Sequence, residues 1–251
     1  MFAGRSARVL PLAANPHVPF SSVVLDRLAE VLSAEGHQVL LVDAGATAPP
    51  APELAQVDLA SSIEVISPRV AYLSARDLPV QYVDTRGCAG AFVDALLQAW
   101  PQADVVLLHA EALDLARVLK RRSARPVLLA ADHPESLKHA YASCKLLVQR
   151  CNLMTYDLLL AASHQSPRAS AIASSLAGCA DQFLGAVLRH SALVDPALSA
   201  PQSADVHLMR LLQAQLSMDA DTLHSFNPGV SAASSPPGVF GKPAEQYQTA
   251  Y

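Results

Sequence analysis

Aromatic residues are scarce: Phe, Trp and Tyr make up 5% of a 251-residue chain that is 51% hydrophobic. A core with so few rings must be built mainly from Ala, Val and Leu. That points to helices stacked on a sheet and away from an aromatic-rich β-sandwich. A basic excess is missing too. Lys plus Arg number 18 against 22 for Asp plus Glu, a net charge of -4. A grip on phosphate backbones normally needs the opposite balance, so no direct nucleic-acid partner is expected. Apolar runs stop at roughly seven residues, far short of the roughly 20 of a membrane span. Met1 to Arg8 carries two arginines but no apolar stretch of the kind a signal peptide needs. The expectation is a soluble, cytoplasmic protein. Paired cysteines are also lacking: Cys88, Cys144, Cys151 and Cys179 show none of the close spacings zinc sites favour. They read as buried small apolar residues in a reducing compartment.

What is present is a repeated alternation of short apolar runs with helical periodicity. Val9 to Ala14 reads as a buried strand, although Pro11 within it cannot donate to a ladder. Ser21 to Ala34 places Val24, Leu25, Leu28, Val31 and Leu32 on one helical face, and Gly36 lies where the helix would stop. Val39 to Val42, running into Asp43, is a second strand. Strand, helix and strand so close together make a βαβ unit, which demands parallel pairing. Further strands are expected at Val70 to Ser74, Asp104 to His109, Pro126 to Ala131 and Tyr156 to Ala162. Helices are expected at Ala89 to Trp100, Leu113 to Arg121, Ser136 to Arg150 and, Ala-rich and long, Pro167 to Leu188. The pattern predicts an α/β fold with a single doubly wound, mostly parallel sheet flanked by helices.

Two stretches depart from it. Ala46 to Ala55, with Pro49, Pro50 and Pro52, reads as a loop. From Asp219 to Tyr251 the chain is rich in Ser, Pro and Gly and reads as a disordered tail, leaving residues 1–218 as the folded domain. Ahead of the tail, Val206 to Leu216 forms a short amphipathic helix with Leu208, Leu211, Leu212 and Leu216 on its apolar side.

The order of segments resembles the MinD/ParA family of P-loop ATPases from about Ala7 to Leu216. Arg27 through Asp43 (RLAEVLSAEGHQVLLVD) is similar to the family's first helix and second strand, NLAxxLAxxGxxVLLxD. Ala71 to Arg76 looks like the strand ending in a "lPAG" turn, and Asp104 to His109 occupies the Walker B strand. Pro126 to Tyr141 (PVLLAADHPESLKHAY) is similar to "vllVttPe..SlkDAY", the strand and switch-like helix of MinD-type proteins. Phe183-Leu184-Gly185 with Ala192-Leu193-Val194-Asp195 resembles "FLg…lG.IP.D". Within the family, the AY-containing helix and the terminal segment are most similar to FlhG/FleN-type proteins. That resemblance implies a role in flagellar number or placement, with a flagellar SRP-type GTPase or a transcriptional activator as protein partner. The BcsQ-like proteins of cellulose secretion and the TadZ/CpaE-like proteins of pilus assembly are close competitors.

The resemblance implies ATP and magnesium, and here the residues disagree with it. A P-loop works because glycines let successive backbone N–H groups converge on phosphate oxygens, while a lysine neutralises the β/γ-phosphates and a hydroxyl binds magnesium. The corresponding segment is Asn15-Pro16-His17-Val18-Pro19-Phe20-Ser21-Ser22, without glycine or lysine. Pro16 and Pro19 have no N–H to offer. Ser21 stands at the lysine position, Pro16 at the family's extra signature lysine, and Ser22 keeps a hydroxyl at the magnesium position. His109 falls where the Walker B aspartate would be, followed by Ala110-Glu111-Ala112-Leu113 in place of "DxPxG". Glu111 is the one carboxylate nearby that could substitute. Asp43 matches the second-strand aspartate and is expected to cap a turn. The adenine-contacting asparagine would lie near Ala162 and is absent. Asn15, Ser21, Ser22, Asp43, His109 and Glu111 are thus read as a vestigial nucleotide pocket, with no catalytic residue, no metal site and no cofactor expected. ATP with magnesium is possible only weakly, and a working ATPase using Ser21, Ser22, Asp43 and Glu111 is the alternative.

Other candidates are thin. His133 ends a strand and His139 lies on a helix, so they form no i, i+4 metal pair. Ser163-His164-Gln165-Ser166 is not preceded by a G-x-S-x-G elbow. Arg117, Lys120, Arg121, Arg122 and Arg125 form a basic run at a helix end, read as a solvated face or an acidic partner's dock. The 206–216 helix has only Arg210 and His207 as basic groups. It is expected to pack on the sheet, with at most weak membrane association.

Overall fold

The computed structural model describes residues 7–198 and 205–217; the tail expected after Asp219 lies outside them. The elements follow in order: β1 Arg8–Ala13, α1 Ser21–Ala34, β2 Val39–Ala44, β3 Glu64–Ser67, β4 Val70–Ser74, α2 Leu78–Gln81, α3 Gly90–Ala99, β5 Val105–Ala110, α4 Ala112–Val118, β6 Val127–Ala131, α5 Pro134–Cys151, β7 Thr155–Ala161, α6 Ala169–Leu184, β8 Val187–Val194 and α7 Val206–Leu216. The strands form one eight-stranded sheet in the order β3-β4-β2-β5-β1-β6-β7-β8. Every neighbouring pair is parallel except β3 with β4. This is the doubly wound architecture the sequence predicts, because apolar side chains alternate to both faces and each face carries helices. Leu12, Leu41 and Leu107 join Leu25, Leu28 and Leu32 of α1 and Leu208, Leu211 and Leu212 of α7 in one core. Leu40, Val106, Leu128 and Leu158 join Phe92 and Leu96 of α3, Leu115 of α4, Leu147 of α5 and Leu176 of α6 in the other. The α7 helix thus packs on the sheet with its leucines inward.

Pro11 sits in a central strand without breaking it, and parity explains why. Arg8 and Ala14 donate their amides to Asp104 and Ala110 on the β5 side, so even-numbered β1 residues face β5. Pro11 faces β6, where pairing begins only at Leu12. Its missing N–H falls just short of the ladder.

The structure departs from the expected elements in three places, one of them the short helix α2, for which no helical pattern is expected. The helix expected over Pro167 to Leu188 ends at Leu184, and the next residues turn into a strand, β8. Gly185 adopts φ 64° and donates to Asp181, while Ala186 reaches back to Ala180. This left-handed glycine stop overrides the helix propensity of the Ala-Val-Leu run that follows. The short antiparallel strand β3 is not foreseen by the sequence pattern, because Glu64 to Ser67 has no alternation and leaves its side chains largely exposed.

A buried carboxylate fastens the β8 side. Asp157, 0% exposed, accepts Arg125 Nε at 2.9 Å, Gln215 Nε2 of α7 at 2.7 Å and the His190 amide at 3.0 Å. The β7–β8 register shifts between Tyr156 and Leu158, so the Asp157 side chain takes up a β8 amide in the irregular stretch. Removing one member strands the Arg125 guanidinium, itself nearly buried. Asp157→Ala is expected to lower unfolding free energy by about 3 kcal/mol in urea titration, with Asp157→Asn costing less; a cost under about 1 kcal/mol for Asp157→Ala would contradict the clamp.

Candidate functional site

At the carboxyl ends of the central strands the β1–α1 loop is closed by its own first residue. Asn15 is 4% exposed. Its Nδ2 donates to Leu129 O at 2.8 Å, Ser136 O at 2.9 Å and Ser136 Oγ at 3.0 Å. The same Ser136 hydroxyl accepts the Ala131 amide at 2.8 Å, so loop, β6 and the start of α5 form one buried network. Two loop amides point inward as well: His17 N donates to Asn15 Oδ1 at 3.1 Å and Val18 N to Asn15 O at 3.0 Å. With Pro16 and Pro19 carrying no N–H, the turn from Pro16 to Pro19 aims no donor at a ligand.

The loop ends in an unusual backbone. Phe20 has φ 55° and is 69% exposed, a conformation glycine accepts freely and a bulky residue does not. It is the N-cap of α1 and supplies no side-chain hydrogen bond to the helix. Ser21 and Ser22 follow on the first turn, half-buried and exposed respectively.

Beside the loop, Asp43 and His109 are cross-strand neighbours in the β2–β5 register. Both alternate with Val42 and Leu108, so they face the α1 side of the sheet. The Nδ1 of His109 lies 2.7 Å from Asp43 Oδ1, with side-chain exposures of 3% and 12%. Asp43 Oδ1 also accepts the Gly45 amide at 3.1 Å. Asp43 therefore does cap a turn, and in addition holds an imidazole, a contact that sequence reasoning does not reach. The available signal is two polar residues closing neighbouring strands in a family-ordered βαβ frame. A carboxylate beside Nδ1 favours the tautomer with the proton on that nitrogen. The His109 Nε2 is buried and has no hydrogen-bond partner among the described residues. Gly45 is needed for this packing, since a Cβ there would meet His109 Cε1 at 2.8 Å.

Glu111 is not beside this pair in any hydrogen bond; its Oε1 accepts the Ala46 amide at 3.3 Å. It does act on His139, which packs edge-on against His17 with ring centroids 6.0 Å apart. Burial pushes the His139 imidazole below its usual range; Glu111 pulls it up and His17 presses it further down. His133 is elsewhere, capping α5 by accepting the Glu135 amide at 3.2 Å. No group of three or more His, Cys, Asp or Glu side chains suited to a metal comes together among the described residues.

The remaining candidates have local work. Arg117 pairs with Asp114 and Arg122 with Asp94, both at 2.7 Å, while Lys120 donates to Arg86 O at 2.5 Å. With Arg125 in the Asp157 clamp, most of the basic run is engaged within the chain. Ser166 donates its hydroxyl to Asp132, and Ser163 accepts the Gln165 amide at 3.3 Å. Of the cysteines only Cys144 is fully buried, its thiol pushed up to about 11 by burial; Cys88 and Cys151 are half-buried and Cys179 is exposed. The expectation of four buried cysteines is corrected to one. Sulfur is weakly polar and tolerates either setting.

No protein-family model matches the chain, and no curated protein sequence does. Solved structures do. A plasmid partition protein of Borrelia burgdorferi superimposes with a TM-score of 0.55 at 11% identity, covering 84% of this chain and 96% of that one. A MinC:MinD cell division complex of Aquifex aeolicus gives 0.52 at 11%, covering 76% and 83%. A complex of a Cyanothece McdA variant with ATP gives 0.53 at 14%, covering 76% and 84%. The fold is that of ParA- and MinD-type ATPases. No helix among the described residues is long and apolar enough to cross a membrane.

Two outcomes test this geometry. Gly45→Ala is expected to cost about 1–3 kcal/mol by crowding His109, read as a drop in urea midpoint; an unchanged midpoint would mean the pair has room to move. A His139 held below its usual range binds its proton more readily when unfolded. Its contribution therefore erodes as pH falls through the unfolded value of about 6.5. His139→Gln should flatten the loss of stability between about pH 7 and pH 5, and an identical slope would rule His139 out as its source.

Proposed function

We propose that this protein keeps the ParA/MinD-type fold as a docking scaffold and works without ATP hydrolysis, by binding other proteins in flagellar biosynthesis. The observation that carries the reading is the closed loop: the amides of His17 and Val18 are turned onto Asn15 and the positions of Pro16 and Pro19 have none. Hydrogen bonds to charged oxygens contribute about 1.5–3 kcal/mol each. Losing several, together with the lysine, removes an amount comparable to the roughly 8 kcal/mol that binds a micromolar ligand. The site beside the loop argues the same way. An imidazole at the Walker B position carries no fixed negative charge for magnesium, and the aspartate across from it is hydrogen-bonded to that imidazole.

The partners and process come from the resemblance of Pro126 to Tyr141 and of Phe183 to Asp195 to FlhG/FleN-type proteins. They favour a flagellar SRP-type GTPase or a transcriptional activator over cellulose-secretion or pilus components. MinD in the Aquifex complex is bound to MinC, a precedent for this fold meeting a protein partner.

Isothermal titration with Mg-ATP is expected to show no binding tighter than millimolar, and light scattering no ATP-dependent dimer. A micromolar dissociation constant, or a dimer that forms only with ATP, would return the protein to the working ATPases, with Ser21, Ser22, Asp43 and Glu111 as its surviving groups. Deleting the gene should change flagellar number or placement; unaltered flagella with lost cellulose or pili would move the partner set to those systems.

A further inference from the structure

The two edges of the sheet are built differently. At the β8 edge, Arg189 and His190 interrupt the strand, the register is irregular opposite Asp157, and α7 packs alongside. These are the usual devices that keep an edge strand from pairing with another chain. At the opposite edge β3 is also short and bulged, between Val65 and Ser67, but what it shows beside its edge is apolar, and among the described residues it pairs only with β4. Glu64, Val65 and Ile66 are all exposed. Val65 stands opposite Ala71, whose side chain belongs to the α3-side core, and is nevertheless 65% exposed; Ile66, at the bulge, is 63% exposed. The segment leading into β3 adds Leu54 and Val57, 51% and 88% exposed, while Ala55 and Leu59 between and beyond them anchor it in the α3-side core. Exposed apolar side chains therefore stand on and lead into a strand whose outer edge pairs with no other strand among the described residues, and the backbone N–H and C=O groups of such an edge are matched by another strand.

The charge beside this edge selects what fits. Glu53, Asp58 and Glu64 are exposed along the same stretch, and hydrogen bonds from Ser61 hold the Asp58 carboxyl below its ordinary range. Arg69 is the cation of the β3–β4 turn, and its guanidinium donates to Ser33 O at 3.3 Å on the α1 side. Two copies joined at this edge would bring acidic stretches together. We propose that the outer edge of β3 accepts an extended segment of a partner protein, apolar and β-branched at its centre and basic at its flanks, as a ninth strand. Backbone hydrogen bonds would align it, Val65 and Ile66 would meet its apolar side chains, and Glu64 with Asp58 would meet its lysines or arginines. The proposal goes beyond the scaffold reading by naming the surface and the chemistry of the partner. It is independent of the nucleotide question, because β3 is separated from β1 by three intervening strands.

The test uses the full chain and a fluorescent peptide of alternating valine and threonine with a pair of lysines at each end, followed by anisotropy. Saturable micromolar binding is expected. Ile66→Lys and Glu64→Lys should each weaken it by about tenfold, about 1.4 kcal/mol. Their melting temperatures should match wild type, because both side chains are exposed. A peptide with proline replacing its central threonine should not bind, since it lacks the central amide. Absence of saturable binding would overturn the proposal, as would equal binding by both variants or by the proline peptide. Sedimentation supplies a further outcome against it: a concentration-dependent dimer abolished by Ile66→Lys would make a second copy the occupant. Any of these leaves the Mg-ATP titration to judge the loop on its own.

Discussion

The carboxamide of Asn15 is the contact on which the character of this molecule turns. One buried NH₂ group bonds β6 through Leu129 O and the first turn of α5 through both oxygens of Ser136, while its Oδ1 and backbone carbonyl receive the next loop amides. A loop that must wrap a phosphate needs its N–H groups convergent and outward. Between Pro16 and Pro19 this one has them inward or replaced by proline rings. Because the network is buried and fully satisfied, opening it would leave several polar groups unpaired at once, each costing about 1–3 kcal/mol. Any opening of the loop works against this network.

The Asp43–His109 pair extends the same logic to the neighbouring strands. In a parallel sheet, residues in register sit about 4.8 Å apart, so two carboxylates at these positions would repel unless a cation lay between them. An imidazole converts that repulsion into a hydrogen bond of 2.7 Å. Gly45 makes room for the ring. Loop and strand ends are consistent with each other: neither asks for a counter-charge.

How much of this is legible in the sequence depends on whether the information is local. Helical periodicity and apolar runs locate the central strands and most helices, because burial on both faces of a parallel sheet leaves a direct imprint on sequence. Pro11 looks like a conflict until the topology reveals which side of β1 it faces. The end of α6 escapes a propensity argument since a single glycine at positive φ outweighs the helix propensity after it, and β3 escapes a pattern argument since an exposed edge strand leaves no alternation to find. Within the site, the lack of glycine and lysine in Asn15 to Ser22 can be read directly. The bonds from Asn15 to Ser136, across a sequence separation of 121, and from Asp43 to His109, across 66, require the strand order.

That division also explains how a fold can be shared at 11% identity with a plasmid partition protein. Strand order and helix placement depend on apolar volume, which many residue combinations supply. Phosphate binding depends on particular backbone conformations and one ammonium group, which few combinations supply. The φ of 55° at Phe20 sits at the join between these two regimes. The turn into α1 adopts a left-handed conformation there although its side chain disfavours it, so backbone shape at this point is set by the surrounding fold against local preference.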